Sequence, residues 1–330
     1  MEHNSFNIYG AKEVGTWISN NYLNILDIVK NTYIQFDNKI AVNPDSYFLK
    51  FLDSDKNRII ALPAYIDGET QIAGIKWIAS FPDNVKNNKN RASATLILND
   101  RNSGYPIACL EGSLISSART AASAVLGANY LFKGKSINKL GVVGTGVISF
   151  EIIKFLTNLG YEIKEMSVYD LNESRALEFS NKVKQTLGDL NPRYENLEAL
   201  ISSSDLIIFA TSATIPYVEN FELFKHNPTV LHISLRDIDT TIIENSYNFV
   251  DDVEHSIKAN TSLHLTSIKN NSTEFIVSGI ADLINGKVSV DYDKPRIYSP
   301  FGMGVLDLAV AYKIYLEQEP NYSLANFNPE

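Results

Sequence analysis

The sequence predicts an α/β protein: a doubly wound parallel sheet plus a second α+β domain that the C-terminal helix completes. Two rhythms and one late segment predict it. From residue 139 onward, apolar runs such as "LGVVG", "EMSVYD", "DLIIFAT" and "TVLHISL" alternate with helical stretches such as "ISFEIIKFLTNLG" and "ESRALEFSNKVKQTLG". Strands spaced by helices of that length form a parallel sheet with right-handed crossovers. Up to about residue 117 the pattern is instead short strand-like runs, "NRIIALPAYI", "QIAGIKWIAS", "RASATLILND" and "YPIACLEGS", parted by Gly, Pro, Asn and Asp. Those runs predict an antiparallel or mixed sheet. The late segment "GVLDLAVAYKIYLEQ" carries an apolar face at helical spacing and is expected to cross back onto the first domain.

A chain of 330 residues, 45 % apolar, has the length of about two domains. Its net charge of -9 comes without a basic block, which argues against a nucleic-acid partner and leaves small molecules. The one cysteine, Cys109, excludes an internal disulfide, and the first residues lack the basic and apolar segments of a signal peptide; both point to the cytoplasm. No uncharged apolar run approaches the roughly 20 residues that cross a bilayer, so no membrane partner is expected.

"KLGVVGTGVISFEI" puts Gly144, Thr145 and Gly146 between an apolar strand and an amphipathic helix. Glycines there permit a tight turn and the close approach of a pyrophosphate to free helix amides. Ser149 stands where the dinucleotide fingerprint has its third glycine. Asp170 closes the next strand, where a carboxylate accepts from adenosine ribose hydroxyls and repels a 2'-phosphate. The expected cofactor is therefore NAD rather than NADP, with Arg175 the residue that pulls the other way.

Two cations sit in awkward places. Alternation in "GIKWIAS" gives Lys76 an apolar strand face, and burying an ammonium without a partner costs several kcal/mol, so it either snorkels to water or meets an anion. Arg119 in "SLISSARTAASAV" falls in what reads as the first helical turn, where the dipole disfavours a cation by about 0.3–1 kcal/mol. With Arg58 and Arg91 they compose a cationic pocket whose expected counter-ion is an acidic substrate. Ligands of a parallel sheet sit beyond its carboxyl ends, here Gly144, Asp170, Thr211 with Ser212, and Asp237 with Asp239. Asp237 is either a proton-transfer carboxylate or the N-cap of the helix "TTIIENS". No metal is expected, because His226, His232, His255 and His264 lack ligand spacing.

"LPAYIDGETQIAGIKWI", "NDRNSGYPIACLEGSLISSARTAAS", "GVVGTG", "VYD" and "FGMGVLDLA", in this order, resemble the ornithine cyclodeaminase and mu-crystallin family over nearly the whole chain. The resemblance implies a homodimer, with a substrate-binding and dimerisation domain at residues 1–118 and 303–330 and an NAD-binding Rossmann domain at 119–302. By motif position it assigns carboxylate binding to Arg58, Lys76 and Arg119, catalysis to Asp237 and a substrate contact to Phe301; in the reaction Lys76 either holds a carboxylate or assists proton transfer. Its NAD contacts fall on Arg119, Thr120, Gly144, Thr145, Gly146, Val147, Ile148, Asp170, Thr211, Ser212, His232 and Ser234. The chain departs from the family at Ile148, commonly Gln; at Arg91, a Thr in cyclodeaminases; at Thr241, a Lys there; and at Pro300, a small polar residue. These changes weaken the case for ornithine cyclisation, and the added arginine suits a substrate richer in carboxylates.

Within the family, "GIKWIAS", "RASATLILND" and "SLISSARTAA" look most like the branch that makes 2,3-diaminopropionate for siderophores. That branch implies an acidic amino-acid adduct as substrate. Its reaction is the NAD-dependent oxidative cleavage of N-((2S)-2-amino-2-carboxyethyl)-L-glutamate to L-2,3-diaminopropionate and 2-oxoglutarate, by hydride transfer and iminium hydrolysis. The rival readings are an ornithine cyclodeaminase, a ketimine or imino-acid reductase, and a nucleotide-bound binding protein without turnover.

Overall fold

A computed structural model describes residues 5–87 and 89–328; the expected domain limits at 1 and 330 lie outside them. In chain order the elements are β1 (Ser5–Tyr9), α1 (Ala11–Ser19), α2 (Tyr22–Asp37), β2 (Ala41–Val42), β3 (Tyr47–Phe51), β4 (Ser54–Ile66), β5 (Ile72–Ser80), β6 (Ala92–Asp100), β7 (Pro106–Glu111), α3 (Gly112–Leu131), β8 (Ser136–Val143) and α4 (Val147–Asn158). There follow β9 (Glu162–Tyr169), α5 (Glu173–Leu187), β10 (Arg193–Tyr194), α6 (Leu197–Ser203), β11 (Leu206–Phe209), β12 (Thr229–His232), α7 (Thr240–Glu244), β13 (Tyr247–Val250) and α8 (Val253–Ser256). The chain closes with α9 (Ser262–Asn270), β14 (Ile276–Gly279), α10 (Ile280–Ile284), β15 (Arg296–Ser299), α11 (Gly304–Glu317) and β16 (Tyr322–Ala325). Two compact units result: the residues up to Arg119 with those from Gly302 on, and Thr120–Phe301.

The first unit is built on an eight-stranded sheet in the order β16-β1-β7-β6-β5-β4-β2, with β3 also paired to β4. It is mixed, since β1 and β7 run parallel while β4, β5, β6 and β7 pair antiparallel. Leu62, Lys76 and Leu96 share one rung of the β4-β5-β6 ladder, and so one face. That face is buried, with Ile66, Ile72, Leu96 and Leu98 in the core, beneath α11, which packs on α2 and across β4, β5 and β6. The opposite face leaves Ile75 and Ile97 half-buried and Trp77 exposed.

α3 begins earlier than the serine-rich stretch suggests. The Glu111 carboxylate accepts from the amides of Ser113 (2.8 Å) and Leu114 (2.9 Å) and from the Ser113 hydroxyl, which caps the helix at Gly112. Arg119 therefore sits about two turns inside α3. The first-turn penalty expected for it does not arise.

All eight strands of the second unit run parallel, in the order β10-β9-β8-β11-β12-β15-β13-β14. With helices connecting them, this is the doubly wound Rossmann architecture. Every residue of β11, β12 and β15 is buried, because central strands of a parallel sheet are covered on both faces. Even Arg296 is accommodated: it donates to the carbonyls of Leu131 (3.1 Å), Lys294 (3.1 Å) and Asn227 (2.7 Å), which satisfy its donors. The strand order reverses between β8 and β11, and ligands of such sheets bind at the carboxyl ends flanking that reversal.

Candidate functional site

At the reversal, Gly144 follows β8 with a φ of 89°, and a Cβ on it would lie 2.6 Å from the Ala210 carbonyl oxygen after β11. Only glycine fits. Gly146 is the N-cap of α4 and makes no side-chain bond to the helix amides; a Cβ there would meet nothing within 4 Å. Beside it Val147 is 56 % exposed, and Ile148 is half-buried. An open, uncapped cradle of amides fits a dinucleotide pyrophosphate. Ser149 donates its hydroxyl to the Gly144 carbonyl at 2.5 Å, so a hydrogen bond ties turn to helix where the fingerprint's third glycine is absent.

Asp170, just beyond β9, accepts at Oδ2 from the Thr145 amide (3.1 Å) and hydroxyl (2.7 Å), and at Oδ1 from the Asn172 amide (3.0 Å). Burial opposes its charge, but these bonds and the Arg175 guanidinium outweigh it and hold the carboxyl below the usual carboxylate range. A charged, half-buried carboxylate at this strand end suits a ribose diol.

Three strands over, beyond the end of β12, Asp237 is 0 % exposed. Its Oδ1 accepts from the hydroxyls of Thr211 and Tyr217, the latter at 3.0 Å, and its Oδ2 from Ser234. His232 Nε2 lies 3.2 Å from the Asp237 amide and 3.3 Å from Oδ2, two contacts that ask for different protonation states of the ring. Burial works against the Asp237 charge, yet the surrounding His232, Ser234 and Thr211 hold its carboxyl below the ordinary range. Burial, then the Asp237 charge, pushes the Tyr217 phenol up. The N-cap alternative for Asp237 fails, because Asp239 caps α7 by accepting from the Thr241 amide at 2.8 Å. Phe301 donates its amide to Asp251 at 2.9 Å and stacks on His255 with centroids 6.5 Å apart. Ser212 is exposed and Thr120 half-buried.

In the first unit, Lys76 is 2 % exposed. Its Nζ lies 2.5 Å from Asp307 Oδ2 and 3.3 Å from Ser116 Oγ, and Arg119 Nε stands 3.1 Å from the same Oδ2. Both buried cations thus meet an anion, as their burial demands, but it is the protein's own carboxylate on α11. The expectation of a substrate as their counter-ion is corrected to that extent. Two cations against one carboxylate leave a net positive charge. Burial pushes the Lys76 ammonium down to about 8, with Asp307 pulling it back and Arg119 adding to the fall.

Arg58 and Arg91 do not join this trio. Arg58 pairs across the ladder with Ser80, four residues beyond Lys76 on its face and about 13 Å away by strand rise; Arg91, exposed, precedes Ala92, the other neighbour of Ser80, and its guanidinium feels the Arg58 charge. Nε of Arg58 is buried without a hydrogen-bond partner. Burial, then the Arg58 charge, lowers the Arg91 guanidinium. Neither guanidinium forms an ion pair among the described residues. The single predicted pocket resolves into a trio and a pair. Asp307, Glu111 and Tyr217 escaped the sequence reading. For Asp307 a signal existed: a carboxylate within the apolar helix "GVLDLAVAYKIYL" poses the same problem as Lys76.

Among the described residues, no group of three or more His, Cys, Asp and Glu is placed to hold a metal ion, and no helix is long and apolar enough to cross a membrane.

Fold and site define a two-unit α/β protein with a Rossmann sheet and a dinucleotide-type glycine turn. The chain belongs to the ornithine cyclodeaminase/mu-crystallin family, whose sequence profile matches residues 9–320. It is 32 % identical over 269 residues to N-((2S)-2-amino-2-carboxyethyl)-L-glutamate dehydrogenase of Staphylococcus aureus, an alignment covering 80 % of each chain. Thermococcus litoralis Delta(1)-pyrroline-2-carboxylate reductase, solved with NADH and L-proline, superposes at a TM-score of 0.85 and 20 % identity, over 94 % of this chain and 98 % of that one. An archaeal alanine dehydrogenase dimer with bound NAD gives a TM-score of 0.82 at 22 % identity, over 96 % and 100 %.

Proposed function

We propose that this protein is an NAD-dependent dehydrogenase that cleaves N-((2S)-2-amino-2-carboxyethyl)-L-glutamate to L-2,3-diaminopropionate and 2-oxoglutarate. The observation that carries the reading is the charge placement in the first unit: a trio with one cation in excess, and a guanidinium pair with no carboxylate among the described residues. Ornithine and proline each bring one carboxylate. The adduct brings three, enough to give both cationic groups an anion. The 32 % identity to the staphylococcal dehydrogenase over 80 % of both chains supports the same choice.

NAD, bound by Gly144, Thr145, Gly146 and Asp170 with Arg119, Thr120, Val147, Ile148, Thr211, Ser212, His232 and Ser234 around it, supplies the hydride acceptor. The glutamate Cα–H bond breaks first; its electron pair leaves as hydride and the Cα–N bond becomes an iminium. Water adds to that carbon, and collapse of the adduct breaks C–N to release the oxo acid and the free amine. Lys76 and Arg119 hold one carboxylate and Arg58 with Arg91 another, fixing the Cα–H, a positioning effect worth several kcal/mol. Lys76, titrating at about 8, exchanges the proton of the amine nitrogen. Asp237, closed off by three hydroxyls, takes the proton of the attacking water through Ser234. Phe301 gives the substrate an apolar contact.

We assign the first unit to substrate binding and, through the half-open face bearing Ile75, Trp77 and Ile97, to a homodimer; the second unit binds the cofactor. Work in the cytoplasm, feeding siderophore assembly, goes with this chemistry. The test is to incubate the purified protein with NAD and synthetic adduct. NADH should form together with equal amounts of both products. Inertness toward the adduct, combined with reduction of cyclic imino acids or release of proline and ammonia from ornithine, overturns the reading.

A further inference from the structure

Asp307 stands in the first turn of α11, wholly buried, in a helix otherwise apolar around it. Every element packed on Lys76 contributes to its surroundings. β4 and β6 place Leu62 and Leu96 beside it, α3 brings Ser116 and Arg119, and α11 brings Asp307. The only anion among these is Asp307, and it serves two cations at once. The contacts are unequal: Lys76 is hydrogen-bonded to Oδ2, whereas Arg119 Nε, though 3.1 Å away, is not aligned for a bond, and Asp307 Oδ1 is left without a donor. The carboxylate is thus committed to Lys76, and the Arg119 guanidinium stays available to an incoming anion.

We infer that Asp307 is a positioning residue that fixes the Lys76 ammonium in place and keeps it protonated, so that the trio presents one net positive charge to one substrate carboxylate. This rests on the reading of Lys76 as a group that faces the substrate. Without Asp307, an ammonium in apolar surroundings beside a guanidinium sheds its proton. With Asp307 and a bound carboxylate, two cations face two anions, which favours the protonated amine still more. Substrate binding near pH 8 is therefore coupled to proton uptake by Lys76.

The test uses the full chain and two readouts. In the first, Nζ of Lys76 is followed by lysine-selective 15N NMR against pH, with Lys76→Met to assign the signal. The unaltered protein should titrate near 8, and Asp307→Asn should titrate at least one unit lower. In the second, kcat/KM for the adduct is measured against pH. A one-unit fall of the alkaline limb makes Asp307→Asn about fivefold slower at pH 8 and restores it in mildly acidic buffer, while Asp307→Glu stays close to the unaltered profile. A Lys76 signal at the ordinary lysine value in the unaltered protein overturns the inference, as does an Asp307→Asn variant whose Lys76 titration is unmoved. Should Asp307→Asn not fold, a Lys76 signal at the ordinary lysine value in the unaltered protein still overturns the inference. The first readout also needs no turnover, so a protein that titrates as expected but leaves the adduct intact sinks the proposed reaction and spares the role of Asp307.

Discussion

Thr145 donates twice to one oxygen of Asp170, its hydroxyl at 2.7 Å and its amide at 3.1 Å from Oδ2. The middle residue of the glycine turn thus aims the Asp170 carboxylate, which in the proposed function meets the ribose. Thr145→Val keeps the branched shape and removes one charge-assisted bond, worth about 1.5–3 kcal/mol. KM for NAD should rise about tenfold, and the preference over NADP should narrow. Asp170→Ala frees Arg175 for a 2'-phosphate and should bring NADP at least level with NAD. Steady-state kinetics with both cofactors check this, and a strong NADP preference in the unaltered protein contradicts it.

Asp237 is the hub of Thr211, Tyr217 and Ser234 rather than an open acid. Asp237→Asn turns an acceptor-only group into one with two donors and removes the proton acceptor. A drop in kcat of about a hundredfold or more is expected, with NAD affinity changed only a few-fold. Because the carboxyl titrates below its ordinary value, activity should hold on the acid side down to about pH 4. Turnover unchanged in Asp237→Asn removes this residue from the mechanism.

Removing the two ends of the buried ion pair should have unequal costs. Asp307→Ala leaves Lys76 and Arg119 buried without a counter-ion, and about 3–5 kcal/mol of stability should be lost. Lys76→Met leaves Asp307 paired with Arg119 and fills the space with an apolar chain, so stability should change little although activity disappears. Urea unfolding of the two variants reads the difference; equal losses would argue that packing, not charge, dominates here.

The family resemblance sets Arg91 in the place of a cyclodeaminase Thr, and its guanidinium feels the Arg58 charge. Arg91→Thr should raise KM for the adduct about tenfold or more through loss of a charged hydrogen bond and leave NAD binding unaffected. An unchanged KM places the carboxylate given to Arg58 and Arg91 elsewhere.

Much of this was legible in the sequence, and particular residues show why the rest was not. The alternation after residue 139 gives the Rossmann sheet because each strand and its helix are local patterns. β16 is illegible: four exposed residues acquire their partner in β1 from the far end of the chain. Lys76 announced itself by being charged on an apolar strand, and that its partner is Asp307 is settled only by folding α11 over β5. Arg119 was misplaced by one turn's reading of the serines, when the capping oxygen belongs to Glu111. Asp237 and Asp239 are both plausible caps by spacing, and only backbone geometry tells which one bonds Thr241.

The central claim, that cations of the first unit present a carboxylate-rich amine for hydride abstraction at the glutamate α carbon, is tested most directly by isotope transfer. The adduct carrying deuterium at that carbon is incubated with NAD and the protein, and the products are analysed by mass spectrometry. The expected result is deuterium in the reduced cofactor, with unlabelled 2-oxoglutarate and L-2,3-diaminopropionate in equal amounts. Reduced cofactor without deuterium, or label retained in an uncleaved adduct, would contradict it.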